Sequence, residues 1–470
     1  MSLATRKHLN PEPLTPAYGT LTVAGSRPYF RSVNKPLVVG GSVLIIGALL
    51  AQLLPPAIRS NIVVNGVIAG MLGLYSVIGF LHLRNKFRMS TPAIILGFVQ
   101  LWIVSTVFLG PSVFGLELKL GRNIWWPTFV LMPYLATFVL IAIDPRWRDR
   151  LLNFILGVSL VAAVVAVLQF FKFPGTFELS SLYADIKGLE TYGLDKRSHG
   201  LSTHPFHLAA QCILGCGIVA SNLLFRKLTA VDILYYTVLS SGLVVAQARS
   251  FYIAWLIVTV ITMGMILRKD FAQFLIILCI MITLISSLVI AFPEQMSYGI
   301  SGRNTIADGR MPQWIRSDEL ADKYPITGIG PKETVFGSGK DFSGGGRWYS
   351  YYTESGYRMG RVSGGFIGLG LVILLVASSL YLAFKMMREK TADAIRRRAA
   401  FAGFFFLIAV SIGLYITNIF ENELMTYYGM TLAAIVAPQM HELFNAQRNR
   451  RGLYALRMAR ARERLATNAK

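Results

Sequence analysis

Twelve apolar blocks, most of them about 18 to 23 residues long, punctuate this chain of 470 residues, and such lengths match the hydrocarbon thickness of a bilayer. They lie at 36–53, 62–82, 92–110, 125–143, 151–172, 205–224, 229–247, 251–268, 271–292, 363–386, 398–420 and 425–440. The last is short enough to be a tilted or re-entrant piece. A composition of 54% hydrophobic and 15% charged residues excludes an ordinary soluble enzyme. The expected fold class is an all-α polytopic membrane protein with about 12 transmembrane helices. Its plan is a disordered tail over 1–35, spans over 36–292 with an outer loop at 173–204, a long loop over 293–362, spans over 363–440 and a basic tail over 441–470.

A net charge of +22 would suggest nucleic acid in a soluble chain; here it bears on topology, and nucleic acid is not an expected partner. With the N-terminus cytoplasmic, most of the 46 Lys and Arg fall on the inner side, in clusters such as Arg84/Lys86/Arg88, Arg146/Arg148/Arg150 and Arg396/Arg397/Arg398. Both termini are then cytoplasmic and both long loops face outward. The tail from Gln447 to Lys470 suits an interfacial helix on an anionic leaflet. Polar, proline-bearing residues at the start predict no cleavable signal peptide. The three cysteines lie inside apolar blocks and read as packing.

Outside the apolar blocks, chemistry concentrates in three places. Arg197 precedes Ser198-His199-Gly200-Leu201-Ser202-Thr203-His204-Pro205, where Pro205 suits a helix start and Thr203 or His204 a cap. A guanidinium beside a helix N-terminus favours phosphate oxygens; the alternative is an ordinary loop charge. The histidines at 199, 204 and 207 lack a carboxylate or cysteine at ligand spacing, so no metal is expected. Arg249, in Gln247-Ala248-Arg249-Ser250, sits in a connection so short that it must lie at the junction of two helices, as a counter-ion or snorkelling to headgroups.

The third place is the loop 293–362, nearly neutral with nine basic and eight acidic residues, so anion affinity there depends on placement. Met311 to Tyr324 reads as a short helix with Trp314 or Ile315 and Leu320 facing the membrane domain, and Gly328, Gly330 and Pro331 end it in a turn. Trp348, Tyr349, Tyr351, Tyr352 and Tyr357 cluster beside Glu354. Such rings stack on sugar faces or form an interfacial aromatic belt. Glu354 can act as a base if desolvated, or pair with Arg358 or Arg361.

Arg197 ahead of His-Pro, the Arg-Ser pair at 249–250, Ser301-Gly302-Arg303 before a Trp-bearing helix, Pro325-Ile-Thr-Gly-Ile-Gly-Pro331 and Gly365-Phe-Ile-Gly-Leu369 resemble, in this order, the O-antigen ligase and polymerase superfamily. The resemblance covers about 190–385. It implies a GT-C-like glycosyltransferase at the outer face of the bacterial inner membrane, taking glycans from undecaprenyl diphosphate. The family's ligases carry a histidine near the motif that here reads Thr353-Glu354-Ser355-Gly356-Tyr357, and no histidine occurs between 208 and 440, which favours a polymerase of exopolysaccharide, capsule or O-antigen. On this reading Glu354 and Arg249 are catalytic, Arg197, Arg303, Trp348, Tyr352 and Tyr357 bind substrate, and no cofactor or metal is needed. The outer loops contain no Asp-x-Asp pair. Implied partners are the undecaprenyl-diphosphate-linked glycan, membrane phospholipid and polysaccharide chain-length and export proteins. A lipid-linked glycan transporter is the rival, but it predicts mid-span charges and related halves, which the sequence does not supply.

Overall fold

The computed structural model describes residues 34–59, 62–83, 91–114, 122–183, 197–225, 229–267, 271–291, 293, 311–328, 330, 355–389, 394–416 and 423–437. The elements are α1 (Lys35–Ala51), α2 (Pro56–Arg59), α3 (Ile62–Leu83), α4 (Thr91–Phe114), α5 (Arg122–Ile143), α6 (Trp147–Phe170), α7 (Thr176–Tyr183), α8 (Pro205–Phe225), α9 (Ala230–Ala246), α10 (Arg249–Leu267), α11 (Phe271–Ala291), α12 (Met311–Lys323), α13 (Gly356–Arg388), α14 (Ala394–Ile416) and α15 (Glu423–Val436). Every one of the twelve apolar blocks coincides with a helix, and no strand occurs among the described residues. Among the described residues six helical stretches are long and apolar enough to cross a membrane: Val63–Leu83, Trp147–Phe170, Pro205–Phe225, Ser250–Leu267, Gly356–Arg388 and Ala394–Tyr415. α1 and α9 are shorter apolar helices of 17 residues each.

α8 is the axis of the bundle. Its sequence is apolar on all sides, and every residue from Leu208 to Leu224 is buried, against α6, α9, α10 and α14. Small residues permit this closeness: a Cβ on Gly242 of α9 would lie 2.7 Å from the Ala163 Cβ of α6 and 3.0 Å from the Cys212 Sγ of α8. α3 and α5 pack on each other at the flank, with α1, α4 and α15 around α5. Exposed apolar residues such as Leu81, Leu101, Val260 and Ile373 give the outer helices lipid-compatible faces.

One end of the bundle is fastened by charge. Arg398 of α14, with no solvent exposure, donates from Nη1 to Asp149 Oδ1 of α6 at 2.7 Å and from Nη2 to Asn222 of α8. Asn222 donates in turn to Asp232 Oδ1 at 3.1 Å, and Asp232 closes a capping box with Thr229 at the start of α9. Four helices are thus joined through one buried guanidinium. Arg148 and Arg396, from the clusters that the sequence assigns to the inner side, are also buried.

Candidate functional site

The opposite end gathers three of the sequence candidates, Arg197, Arg249 and Tyr357. α6 and α14 finish there, while α8, α10 and α13 begin there. The helices alternate in direction, and Gly217 of α8 packs on Phe405 of α14 about midway along both. Arg249 is the first residue of α10, as the short connection requires. Arg197, half-buried, stands on the approach to α8, and its neighbour Ser198 donates its N–H to the Val245 carbonyl at 3.1 Å in the last turn of α9. That bond ties the Arg197 loop to the helix that leads into Arg249.

The loop is also clamped from α6. Gln169 Oε1 accepts the N–H groups of His199 at 3.3 Å and Gly200 at 2.8 Å, and its Nε2 donates to the Gly200 carbonyl at 3.0 Å. Gly200 is required here: its φ is +60°, and a Cβ would fall 2.8 Å from the Ala162 carbonyl oxygen. Gln169 is visible in the sequence as one amide in the last turn of an apolar block, but its target becomes apparent only when the loop folds back on it.

Each of the three histidines serves its own loop. His199 Nδ1 lies 2.7 Å from the Ser202 carbonyl, so Nδ1 carries the proton and Nε2 the lone pair. Burial lowers the His199 pKa from its ordinary value, against an opposing contribution from this hydrogen bond. His204 Nδ1 accepts the Phe206 N–H at 3.3 Å, capping α8 with a ring, and Thr203 Oγ1 meets His207 Nδ1 at 3.2 Å. Among the described residues no group of three or more His, Cys, Asp or Glu comes together as a metal site.

α12 forms the lateral wall. As expected, it starts at Met311 with Pro312 in the first turn, and Trp314, Ser317 and Ala321 form its buried side while Ile315 is exposed. The Trp314 ring meets Tyr415 of α14 edge-on at 5.8 Å and lies under the Arg358 guanidinium at 4.4 Å. Arg358 Nε donates to Asp318 Oδ2 at 3.4 Å, and Arg361 Nη2 to Asp322 Oδ1 at 2.5 Å. The two arginines considered as partners for Glu354 therefore hold α12 against α13.

The Pro325–Pro331 motif acquires a physical role. α13 is interrupted at Gly365, with φ 62° and ψ −161°, a combination essentially confined to glycine. The turn after α12 enters the break: Phe366 N–H donates to the Pro325 carbonyl at 2.7 Å, and Gly330 N–H to the Ser363 carbonyl at 3.0 Å. Backbone groups freed by the interruption thus find partners, as a membrane protein requires. A Cβ on Gly365 would come within 2.1 Å of the Ile326 carbonyl oxygen, and one on Gly328 within 2.5 Å of the Val362 carbonyl oxygen. Trp102 of α4 donates from its indole to the Gly364 carbonyl at 3.0 Å.

Tyr357 is half-buried in the first turn of α13, its ring on the core and its hydroxyl bonded to Ser411 of α14. Ser355 caps that helix and donates to the Leu414 carbonyl at 3.4 Å. Arg303, Trp348, Tyr352 and Glu354 lie outside the described residues, as do the tails 1–33 and 438–470. The structure thus brings Arg197, Arg249 and Tyr357 to one end of the bundle.

The apolar helices and their lipid-compatible faces define a multi-pass membrane protein. Residues 234–373, from α9 into α13, match the family model described as O-antigen ligase, so over that stretch the chain is similar to the O-antigen ligase family. No curated protein matches the chain.

Proposed function

We propose that the protein is a polymerase that joins undecaprenyl-diphosphate-linked oligosaccharide repeat units at the outer face of the bacterial inner membrane, building an exopolysaccharide, capsule or O-antigen. The observation that carries the reading is the bond from Ser198 to Val245, which holds the Arg197 loop at the junction where Arg249 begins α10, within the region of family similarity. Guanidinium groups suit a departing diphosphate, and need no metal to do so.

In the proposed step an acceptor hydroxyl oxygen attacks the anomeric carbon of the donor glycan. The bond from that carbon to the diphosphate oxygen breaks, the electron pair leaves with undecaprenyl diphosphate, and the hydroxyl proton passes to the Glu354 carboxylate. Arg249 and Arg197, with Arg303, take the diphosphate charge; Trp348, Tyr352 and Tyr357 make up the acceptor wall. All twelve apolar helices cross or enter the membrane in this scheme, with both termini cytoplasmic, and polysaccharide chain-length and export proteins act downstream.

Purified protein given lipid-linked repeat units, without nucleotide sugar and in the presence of a chelator, is expected to make a ladder of longer lipid-linked chains. Arg249→Ala is expected to lower the rate by about 100-fold or more, the scale of losing a transition-state charge contact, and Arg249→Lys to restore only part of it. Full activity in both variants would remove Arg249 from the mechanism. The description of the matched family favours a second reading, ligation to a lipid A core sugar, which the same assay distinguishes by a product on lipid A core.

A further inference from the structure

Four polar side chains at the Arg249 end are almost wholly buried and still leave hydrogen-bonding atoms without partners among the described residues. They are His199 at Nε2, Ser202 at Oγ, Gln247 at both Nε2 and Oε1, and Ser250 at Oγ, with exposures of 1%, 0%, 1% and 3%. The fold brings them close. Ser198, next to His199, bonds to Val245, two residues before Gln247; Ser202 N–H donates to the His199 carbonyl at 3.0 Å; Ser250 follows Arg249. The Phe206 and Phe251 rings, 6.5 Å apart, join the starts of α8 and α10 beside them. Native proteins leave few such atoms unpaired, because a buried donor or acceptor loses its water without compensation.

Gln247 is unusual in a second way. It ends α9 in the left-handed region, with φ 51° and ψ 42°, where glycine or asparagine would be the easier choice. A strained backbone immediately before Arg249 therefore carries a long carboxamide with no partner among the described residues.

The chemistry of the set selects its ligand. A carboxamide offers donors and an acceptor, two hydroxyls offer both, and the imidazole offers a lone pair because Nδ1 holds the proton against Ser202. A phosphate, which needs donors only, would face the His199 lone pair. A sugar hydroxyl or acetamido group both gives and accepts. We propose that His199, Ser202, Gln247 and Ser250 form a subsite for the sugar that adjoins the diphosphate, with Gln247 as its principal contact, so that Arg249 reads charge while its neighbours read the glycan. The subsite rests on the donor assignment above.

The test uses the full chain in detergent or nanodiscs and two probes, bare undecaprenyl diphosphate and the undecaprenyl-diphosphate-linked oligosaccharide extracted from the source cells. Gln247→Met keeps length and shape and removes the hydrogen bonds; Ser250→Ala removes one hydroxyl at little risk to folding. Gln247→Met is expected to weaken binding of the glycan-bearing lipid by about tenfold, the scale of one lost buried contact, and to leave bare undecaprenyl diphosphate within about twofold. Ser250→Ala is expected to shift the same ratio in the same direction by a smaller factor. The thermal midpoint of each unliganded variant is expected to equal or exceed that of the parent, since a buried polar group with no partner among the described residues has been removed. An unchanged ratio in both variants, or an equal loss for both lipids, overturns the subsite while the donor assignment stands. Parent protein that binds neither lipid overturns the donor assignment and the subsite together.

Discussion

At the residue scale, His199 shows how local packing sets a titration. Its ring is buried and its folded pKa is depressed, so the unfolded chain takes up a proton first as the pH falls. The stability it contributes is complete above its ordinary value of about 6.5 and is lost as pH falls from there through the lowered folded value. Lowering the pH from 7 to 5 is therefore expected to reduce the thermal midpoint of the parent. His199→Asn, whose amide can still donate to the Ser202 carbonyl, is expected to flatten that dependence; an equal slope in the variant would mean that other groups set it. Little of this is legible in sequence. The triplet at 199, 204 and 207 invites a metal reading, and only the loop's own bonds to Ser202, Phe206 and Thr203 reveal three separate structural uses.

At the scale of elements, helix positions follow directly from the apolar blocks, because a segment in lipid must satisfy its own backbone. The break in α13 does not follow from them. Gly365 sits in an unremarkable run of small residues, and its exceptional conformation depends on the Pro325–Gly330 turn arriving from outside the helix. Gly365→Ala is expected to cost more than the ~1–3 kcal/mol of a strained backbone alone, because the Ile326 carbonyl occupies the space of the new methyl. The measurement is the thermal midpoint in detergent, with protease sensitivity at the 324–330 turn as a second readout. A similar clash disfavours Gly328→Ala, whereas Gly370→Ala meets nothing within 4 Å and is expected to be tolerated.

For the whole molecule, the two ends of the bundle differ in kind. One is fastened by Arg398, Asp149, Asn222 and Asp232, a hydrogen-bonded network that runs across four helices. Removing one partner of such a pair costs about 3–5 kcal/mol, whereas replacing both with apolar groups is often nearly neutral. Asp149→Leu is thus expected to lower the thermal midpoint strongly, and Asp149→Leu with Arg398→Met to recover part of the loss; a double variant no better than the singles would argue against direct coupling. The other end holds buried polar atoms without partners among the described residues, together with Arg197 and Arg249.

The sequence by itself determined that this chain lies in a membrane, where its helices run, and that arginines stand at helix junctions, because hydrophobic length and the cost of a charge near lipid are properties of short stretches. It also carried a resemblance to the O-antigen ligase and polymerase superfamily, which the family similarity over 234–373 supports. Tertiary structure alone decided which of those arginines serve packing and which stand at the polar end. Arg148, Arg396 and Arg398 belong to clusters that the sequence assigns to the inner side, and they are interior. Arg358 and Arg361 turned out to fasten α12. A guanidinium's role depends on the groups that surround it in space, and those come from helices up to 249 residues apart in the chain.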